Sequence, residues 1–321
     1  MAAGAPLIAW LGELDRGAAS IAGGKGAGLN DMVRAGLSVP PGFVVCAEAF
    51  RSILAQADLK QQIVLALSTI NVEHTQQLEA AARFIQELIV GRPLPDELRA
   101  AIEAAYVRLC SDQAWVPVAV RSSAVAEDSR TASFAGQQDT YLNVVGTEAL
   151  VQRVQACWAS FFGPRAIFYR RQKGAIDDTA MAVVVQRMVM PQKSGVLFTL
   201  DPVQRRRDRI IVEATWGLGE AVVSGKVTPD HYALARDGSV LNAFVPRKAI
   251  AIVHDDRHGG TREVVLDEAQ SRARVLDADE LRRLAELGAA LEAYFGTPQD
   301  VEWAIENGTI YLLQSRPITT V

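Results

Sequence analysis

The last stretch of the chain, Gln299 to Arg316, reads QDVEWAIENGTIYLLQSR and constrains the fold more than any other. Two runs of alternating residues flank an Asn-Gly pair, Asn307 and Gly308, which is the pattern of a β-hairpin. Side chains on a strand repeat every two residues, so Asp300 and Glu302 share a face of the first strand, and Gln314 and Arg316 share a face of the second. Whether the two pairs meet depends on the loop. A two-residue loop sets Glu302 and Gln314 on opposite faces. A three-residue loop of Glu306, Asn307 and Gly308, with Gly308 at positive φ, sets them on the same face. The apolar pattern suits either, and a surface hairpin with scattered polar residues accounts for the same letters. We take the three-residue loop, because it gathers two carboxylates, an amide and a guanidinium on one patch. Carboxylates with an amide oxygen suit a hard cation such as Mg²⁺, and an arginine grips phosphate.

Composition bounds the rest. At 321 residues and ~100–200 residues per domain, two lobes with a sizeable core are expected. A net charge of −4 gives no bulk positive charge for nucleic acid. The start, MAAGAPLIAWLGEL, lacks a basic n-region, and no apolar run approaches the ~20 residues of a membrane span. Cys46, Cys110 and Cys157 are odd in number and sit in apolar surroundings, so they read as buried thiols in a reducing cytoplasm.

From Ser20 to Val45 a Gly-rich turn (Gly23, Gly24, Gly26, Gly28) surrounds Lys25, opens a short helix ending near Gly36, and leads through Pro-Pro-Gly to a strand at Phe43–Val45. Glycines let backbone approach a phosphate and lysine supplies charge. It is not a P-loop, since Gly26 stands where Ser or Thr is required. A flexible loop before a helix accounts for the same residues. Two or three helices follow at roughly 47–57, 75–90 and 95–111, a scaffold in which His74 is a surface residue.

Trp115 to Val120 reads as a buried strand, followed by a long polar loop with Arg121, two serines, Glu127, Asp128 and Arg130, before FAGQQ and a strand carrying Thr140. Arg121 beside hydroxyls and Gly-turn amides makes a phosphate grip, or else a structural ion-pair partner. A helix pair over 147–173, broken at Gly163-Pro164, carries an aromatic stripe that reads as core. The strand Met181–Met190 ends in a Gln-Arg-Met-Val run able to offer backbone and soft side chains to a flat base. Strands to about Val265, a basic loop (Arg205, Arg206, Arg207, Arg209) and a helix at roughly 277–295 precede the hairpin.

Five ordered stretches (GGKGAGL, VAVRSSAVAEDSRTASFAGQQDTYLNV, VVVQRMVMPQKSGVLFT, WGLGEAVVSGKVTPDHY and QDVEWAIENGTIYLLQSRPIT) together resemble the nucleotide-binding domain of the dikinase-type phosphotransferases. That family includes phosphoenolpyruvate synthase, pyruvate, phosphate dikinase and rifampin phosphotransferase, and the resemblance covers almost the whole chain. It implies an α+β, ATP-grasp-like fold with ATP in the cleft between two lobes, here 1–190 with the lysine turn and the Arg121 loop, and 191–321 with the metal-binding hairpin.

By the same resemblance Lys25 and Arg121 hold the triphosphate, and Gly136 and Thr140 line the same phosphate region. Gln186, Met188 and Val189 form the adenine edge, and Glu213 lies near the ribose. Glu302 and Gln314 ligate Mg²⁺ with Asp300 close by, and Arg316 stabilises the transferring phosphoryl group. Lys25, Arg121 and Arg316 are thus the expected catalytic residues, with ATP and Mg²⁺ as cofactors.

One departure matters. Full-length members carry a phosphoryl-accepting histidine in a Gly-Gly-x-x-Ser-His-Ala-type motif, and none of His74, His231, His254 or His258 sits in one; His231, in TPDHY, reads as structural. The expectation is therefore an excised domain, or a subunit whose histidine lies on a partner domain or polypeptide. Such a component passes the β-phosphoryl of ATP to that histidine, giving AMP and phosphate, for an acceptor bound elsewhere such as pyruvate, a rifamycin or a phenol. An ATP-grasp ligase that makes an acyl phosphate and ADP, and a non-catalytic nucleotide sensor, are the competing readings.

Overall fold

A computed structural model of the chain describes residues 6–111, 115–125, 139–173, 180–255 and 260–319. Gly136, Glu127, Asp128, Arg130 and His258 lie outside the described residues. The chain divides into two units, Met1–Asn30 with Pro41–Met188, and Asp31–Pro40 with Val189–Val321. The short segment Asp31–Pro40 groups with the later residues, which a single boundary at 190 does not provide for.

The first unit contains β1 (Ile8–Trp10), the start of α1 (Ala19–Arg34), β2 (Gly42–Val45), α2 (Ala47–Leu54), α3 (Ala57–Ser68), α4 (Thr75–Val90), α5 (Asp96–Cys110), β3 (Val118–Ala124), β4 (Thr140–Val144), α6 (Thr147–Ser160), α7 (Pro164–Lys173) and β5 (Met181–Arg187). Its strands form one sheet in the order β1-β2-β5-β3-β4 with every neighbouring pair antiparallel. The helices use one apolar stripe each. In α4 the buried residues are Leu78, Ala81, Ala82, Ile85 and Ile89, spaced as one face of a 3.6-residue period. The scaffold expected as two or three helices is four, because α3 shows only Leu59, Ile63 and Leu67 on its buried side and stands apart from α2 at Ala55–Gln56.

One face of this sheet is core. Phe43, Val45, Val118, Val120, Val183 and Val185 pack with helical side chains among which Phe50 and Trp158 stack at 5.7 Å between ring centroids. The aromatic stripe therefore packs as expected, and truncating a buried Trp of this kind costs about 3–5 kcal/mol. Cys46, Cys110 and Cys157 are all buried as free thiols.

The second unit contains β6 (Lys193–Phe198), β7 (Arg209–Trp216), α8 (Glu220–Val223), β8 (Asp230–Ala235), β9 (Val240–Phe244), β10 (Ile250–His254), β11 (Thr261–Val265), α9 (Glu268–Arg272), α10 (Ala278–Phe295), β12 (Gln299–Glu306) and β13 (Thr309–Pro317). Six strands form an antiparallel sheet in the order β13-β12-β6-β7-β8-β9, and β10 pairs with β11. Helix α10 begins with a capping box between Asp277 and Glu280 and ends at Gly296 in the left-handed region, φ 72°. It buries Leu281, Leu284, Ala285 and Leu291, and Gly288 admits Leu197, whose Cδ2 would lie 2.9 Å from an added Cβ. The sheet face bearing Val301, Trp303, Leu197 and Val212 is thus the apolar one. The opposite face is left for other work.

Behind that face lies a buried ion pair. Lys248 Nζ donates to Asp230 Oδ1, and both side chains are fully buried. The second Asp230 oxygen accepts from Tyr232 Oη at 2.7 Å and Val275 N at 2.8 Å, while Lys248 Nζ also donates to Pro246 O at 3.0 Å. Every charge is met, which is the condition for tolerating it in the interior.

Candidate functional site

The hairpin corrects one expectation and keeps its consequence. β12 and β13 are joined by Asn307 and Gly308 alone, both at positive φ (51° and 77°), the mark of a two-residue type I′ turn. The three-residue loop is absent. From the turn the ladder runs Glu306–Thr309, Ile305–Ile310, Ala304–Tyr311 and Trp303–Leu312, and there the register shifts by one residue of β13, at Leu313. Beyond it Glu302 meets Gln314 and Asp300 meets Arg316.

The extra residue needed to bring the two pairs onto one face is therefore a β-bulge inside the strand. It resolves a conflict in the sequence. Leu312 is buried on the apolar side with Trp303, and without a bulge Gln314, two residues on, would be sent to the same side.

Across the sheet this polar row continues. Glu302 pairs with Val196, Val196 with Glu213, and Glu213 with His231. Strands are ~4.8 Å apart, so Glu302 and Glu213 stand about 10 Å from each other on one face. Arg316 donates to Asp300 Oδ2 through Nε at 2.8 Å and Nη2 at 2.7 Å, with Arg316 largely exposed and Asp300 largely buried. Burial pushes the Asp300 carboxyl above the usual carboxylate range; Arg316 opposes that shift and the Glu302 charge adds to it. His231 Nδ1 lies 3.5 Å from Glu213 Oε1.

Among the described residues no group of three or more His, Cys, Asp or Glu side chains is gathered as a metal centre. The donor set nonetheless fits Mg²⁺. That ion keeps several waters and is commonly held by one or two carboxylates together with substrate phosphates, rather than by an all-protein cage. Glu302 and Gln314 supply a carboxylate and an amide oxygen opposite each other, and Asp300 supplies a second carboxylate already engaged by Arg316.

The first unit gathers a second set on the non-core face of its sheet. Arg121 pairs with Thr140 and with Val184, and Gln186 pairs with Ala119, so Arg121, Thr140 and Gln186 share a face. Arg121 and Gln186 are buried and Thr140 is exposed.

The Arg121 expectation needs correcting, since Arg121, Ser122 and Ser123 belong to strand β3 rather than to a loop. The Gly-rich segment is not an open turn either. Lys25, Gly26 and Gly28 are helical, and the break is confined to Gly23 at φ 68°, ψ 174°.

Ser123 explains that break. Its Oγ donates to Ala22 O at 2.8 Å and accepts from Gly26 N at 3.0 Å, stapling α1 to β3 two residues from Arg121. A Cβ at Gly23 would meet Ser123 O at 2.1 Å. Lys25 is consequently held beside β3, close enough to the buried Cys157 to oppose the rise that burial and Asp139 impose on that thiol. Strand β5 ends at Arg187, short of the expected Met190, and the buried Met188 and Val189 follow it, with Met188 N donating to Pro117 O at 2.9 Å.

For three residues the neighbours are set only by the fold. In the sequence Ser123 is one polar letter among many, Leu313 is an ordinary strand leucine, and His231 reads as structural with no sign of its neighbour Glu213. His231 is partly exposed on the Glu213 face, and the alternation of buried Asp230, Tyr232 and Leu234 was the signal available for it.

Residues 19–321 match the model of the pyruvate phosphate dikinase AMP/ATP-binding domain. The chain belongs to this family. Within it, the chain is 46% identical over 318 residues to a probable phosphoenolpyruvate synthase of Methanocaldococcus jannaschii, covering 98% of this chain and 27% of that protein. It is 45% identical over 317 residues to a probable phosphoenolpyruvate synthase of Archaeoglobus fulgidus, covering 98% of this chain and 42% of that protein. A rifampicin phosphotransferase of a Streptomyces species is 44% identical over 317 residues, with 98% and 36% covered.

This AMP/ATP-binding domain therefore spans less than half the length of these relatives. A D-alanine–D-alanine ligase structure from Bacillus anthracis aligns with 73% of this chain and 64% of its own at 10% identity and a TM-score of 0.25, a likeness too low to argue from. Among the described residues no helix is long and apolar enough to cross a membrane.

Proposed function

We propose that the chain is the ATP-binding and ATP-activating component of a dikinase-type phosphotransferase. It passes the β-phosphoryl of ATP to a histidine on another domain or subunit, leaving AMP and phosphate, and an acceptor bound elsewhere takes the phosphoryl group onward. The observation that carries this reading is the pairing of Glu302 with Gln314 and of Asp300 with Arg316 on the polar face of one sheet, in a member of an AMP/ATP-binding family. A nucleotide sensor has no need of an arginine beside a metal-type carboxylate pair.

In this reading Glu302 and Gln314, with Asp300 close by, hold Mg²⁺, which when bound neutralises charge on the phosphate oxygens. Phosphoryl transfer asks the protein mainly for position and charge. Lys25, Arg121, Gly136 and Thr140 grip the phosphates, Gln186, Met188 and Val189 edge the adenine, and Glu213 accepts from the ribose. Arg316, fixed by Asp300, meets the charge that develops on the transferring group. The ATP-grasp-like architecture, with both residue sets serving one nucleotide, belongs to the same proposal. The acceptor is a matter for the portion of the relatives that this chain does not span.

Isothermal titration with ATP tests it. One site is expected whose affinity depends on Mg²⁺, and both Lys25→Ala and Glu302→Ala should weaken that same isotherm. With a histidine-bearing partner domain added, the adenine product should be AMP; ADP would instead favour a ligase. Absence of Mg²⁺-dependent uptake by the parent would end the proposal.

A further inference from the structure

We infer that His231 is a positioning residue for the nucleoside end of the site: it holds the Glu213 carboxylate toward the ribose hydroxyls and so sets a preference for ribonucleotides over deoxyribonucleotides. This rests on the reading of Glu213 as the ribose contact.

The two residues are direct cross-strand partners on β7 and β8, on the same face as Glu302 and Gln314. Cross-strand partners have side chains close enough to interact, and here Nδ1 and Oε1 stand 3.5 Å apart, with both side chains partly exposed.

The backbone under Glu213 is tightly confined. A Cβ at Gly195 would fall 1.8 Å from Glu213 O, so β6 and β7 are packed as closely as a glycine allows. Val212 and Ala214, on either side of Glu213, are buried. The freedom that remains at this position is the rotation of the glutamate side chain itself, and His231 is placed to restrain it.

An ionised carboxylate only accepts, and a vicinal diol offers it two O–H donors. A carboxylate with one oxygen drawn to an imidazole N–H presents the other in a fixed direction. A site built to pair with a hydroxyl rejects an analogue lacking it far more strongly than an apolar pocket can.

The experiment compares binding of Mg²⁺-ATP with that of Mg²⁺-2′,3′-dideoxy-ATP by the parent and by His231→Ala, His231→Asn and Glu213→Ala. The parent is expected to favour ATP by on the order of tenfold or more, the scale of a hydrogen bond to a charged group. Glu213→Ala should erase the preference. His231→Ala should weaken ATP severalfold while leaving the dideoxy analogue unchanged, and His231→Asn, which keeps an N–H donor, should recover part of the preference.

A merely structural histidine would weaken both nucleotides alike, and that result overturns the inference, as does a parent preference undiminished in His231→Ala. If Glu213→Ala keeps the preference, the ribose assignment fails with the inference while the function stands. If the parent binds neither nucleotide, the proposed function fails first.

Discussion

Glu302 and Gln314 stand opposite each other across β12 and β13 because the ladder shifts register by one residue of β13 at Leu313. The turn beyond is as short as a hairpin allows, so the face on which Arg316 and Gln314 appear is decided five residues past Gly308, inside the strand. The bulge lets Leu312 enter the core with Trp303 while Gln314 joins the polar row.

The roles of the two ends of that row should separate kinetically. Glu302→Ala is expected to weaken Mg²⁺-ATP binding, whereas Arg316→Ala should leave affinity within severalfold of the parent and lower the rate of phosphoryl transfer by on the order of 10³-fold, the scale of an arginine finger. Titration calorimetry and single-turnover transfer to a histidine-bearing partner give the two numbers. Transfer at the parent rate by Arg316→Ala would remove it from the mechanism.

Gly308 has open space around it, so a side chain there meets only the conformational penalty of positive φ. Gly308→Ala should therefore cost about 1 kcal/mol in chemical denaturation and leave ATP affinity unchanged, since the bulge and not the turn sets the register of the site. A large loss of affinity would show that the turn matters more than the bulge.

Ser123 touches nothing that reacts, yet its hydroxyl both donates to and accepts from α1 in a buried setting. Ser123→Ala leaves the Ala22 carbonyl and the Gly26 amide without that partner, at about 1–3 kcal/mol. Lys25 rides on the same turn of helix, so ATP affinity should fall with stability. A variant that unfolds at lower urea yet binds ATP like the parent would uncouple the staple from the site.

The Lys248–Asp230 pair is expected to behave as a buried pair does when broken. Lys248→Met strands the Asp230 carboxylate in the core and should cost about 3–5 kcal/mol. Adding Asp230→Asn should restore part of that, because an amide oxygen still accepts from Tyr232 Oη and Val275 N. Equal losses in the single and double variants would contradict this account.

Alkaline pH should destabilise the fold. Burial pushes the Cys46 thiol from about 9 to about 12, and the buried phenol of Tyr232 and the thiol of Cys157 are shifted upward as well. A thiol whose folded value is raised stays protonated in the native state while the unfolded chain ionises. Its stabilisation is therefore complete below pH 9 and is lost as pH climbs from 9 toward 12, by up to about 1.4 kcal/mol per pH unit for one group. Urea midpoints measured from pH 8 to 10.5 should fall, and fall less steeply in Cys46→Ala.

Much of this arrangement is legible in the sequence. The periodicity that marked helices at 75–90 and 277–295 reflects single apolar stripes, and those helices stand at Thr75–Val90 and Ala278–Phe295. The Asn-Gly pair announced the hairpin, and the even separation of Glu302 from Gln314 demanded one unmatched residue if they were to share a face. Where that residue sits was not legible, because an extra residue in the loop and one in the strand give the same parity. Likewise the serines after Val120 looked like loop because they are polar. They are strand because Ser123 has α1 as its partner and Arg121 has Thr140 and Val184 as its neighbours, residues far away in the chain.

The amino-acid order by itself determined the family, the strongly periodic helices, the terminal hairpin and the identity of the charged and amide groups available for chemistry, since these depend on local spacing and on residue type. Tertiary structure alone decided that Leu313 bulges, that Gly23 breaks α1 against Ser123, and that His231 stands beside Glu213. Each of these depends on which strand or helix lies alongside, and contacts between distant segments set those outcomes through packing, which no local pattern encodes.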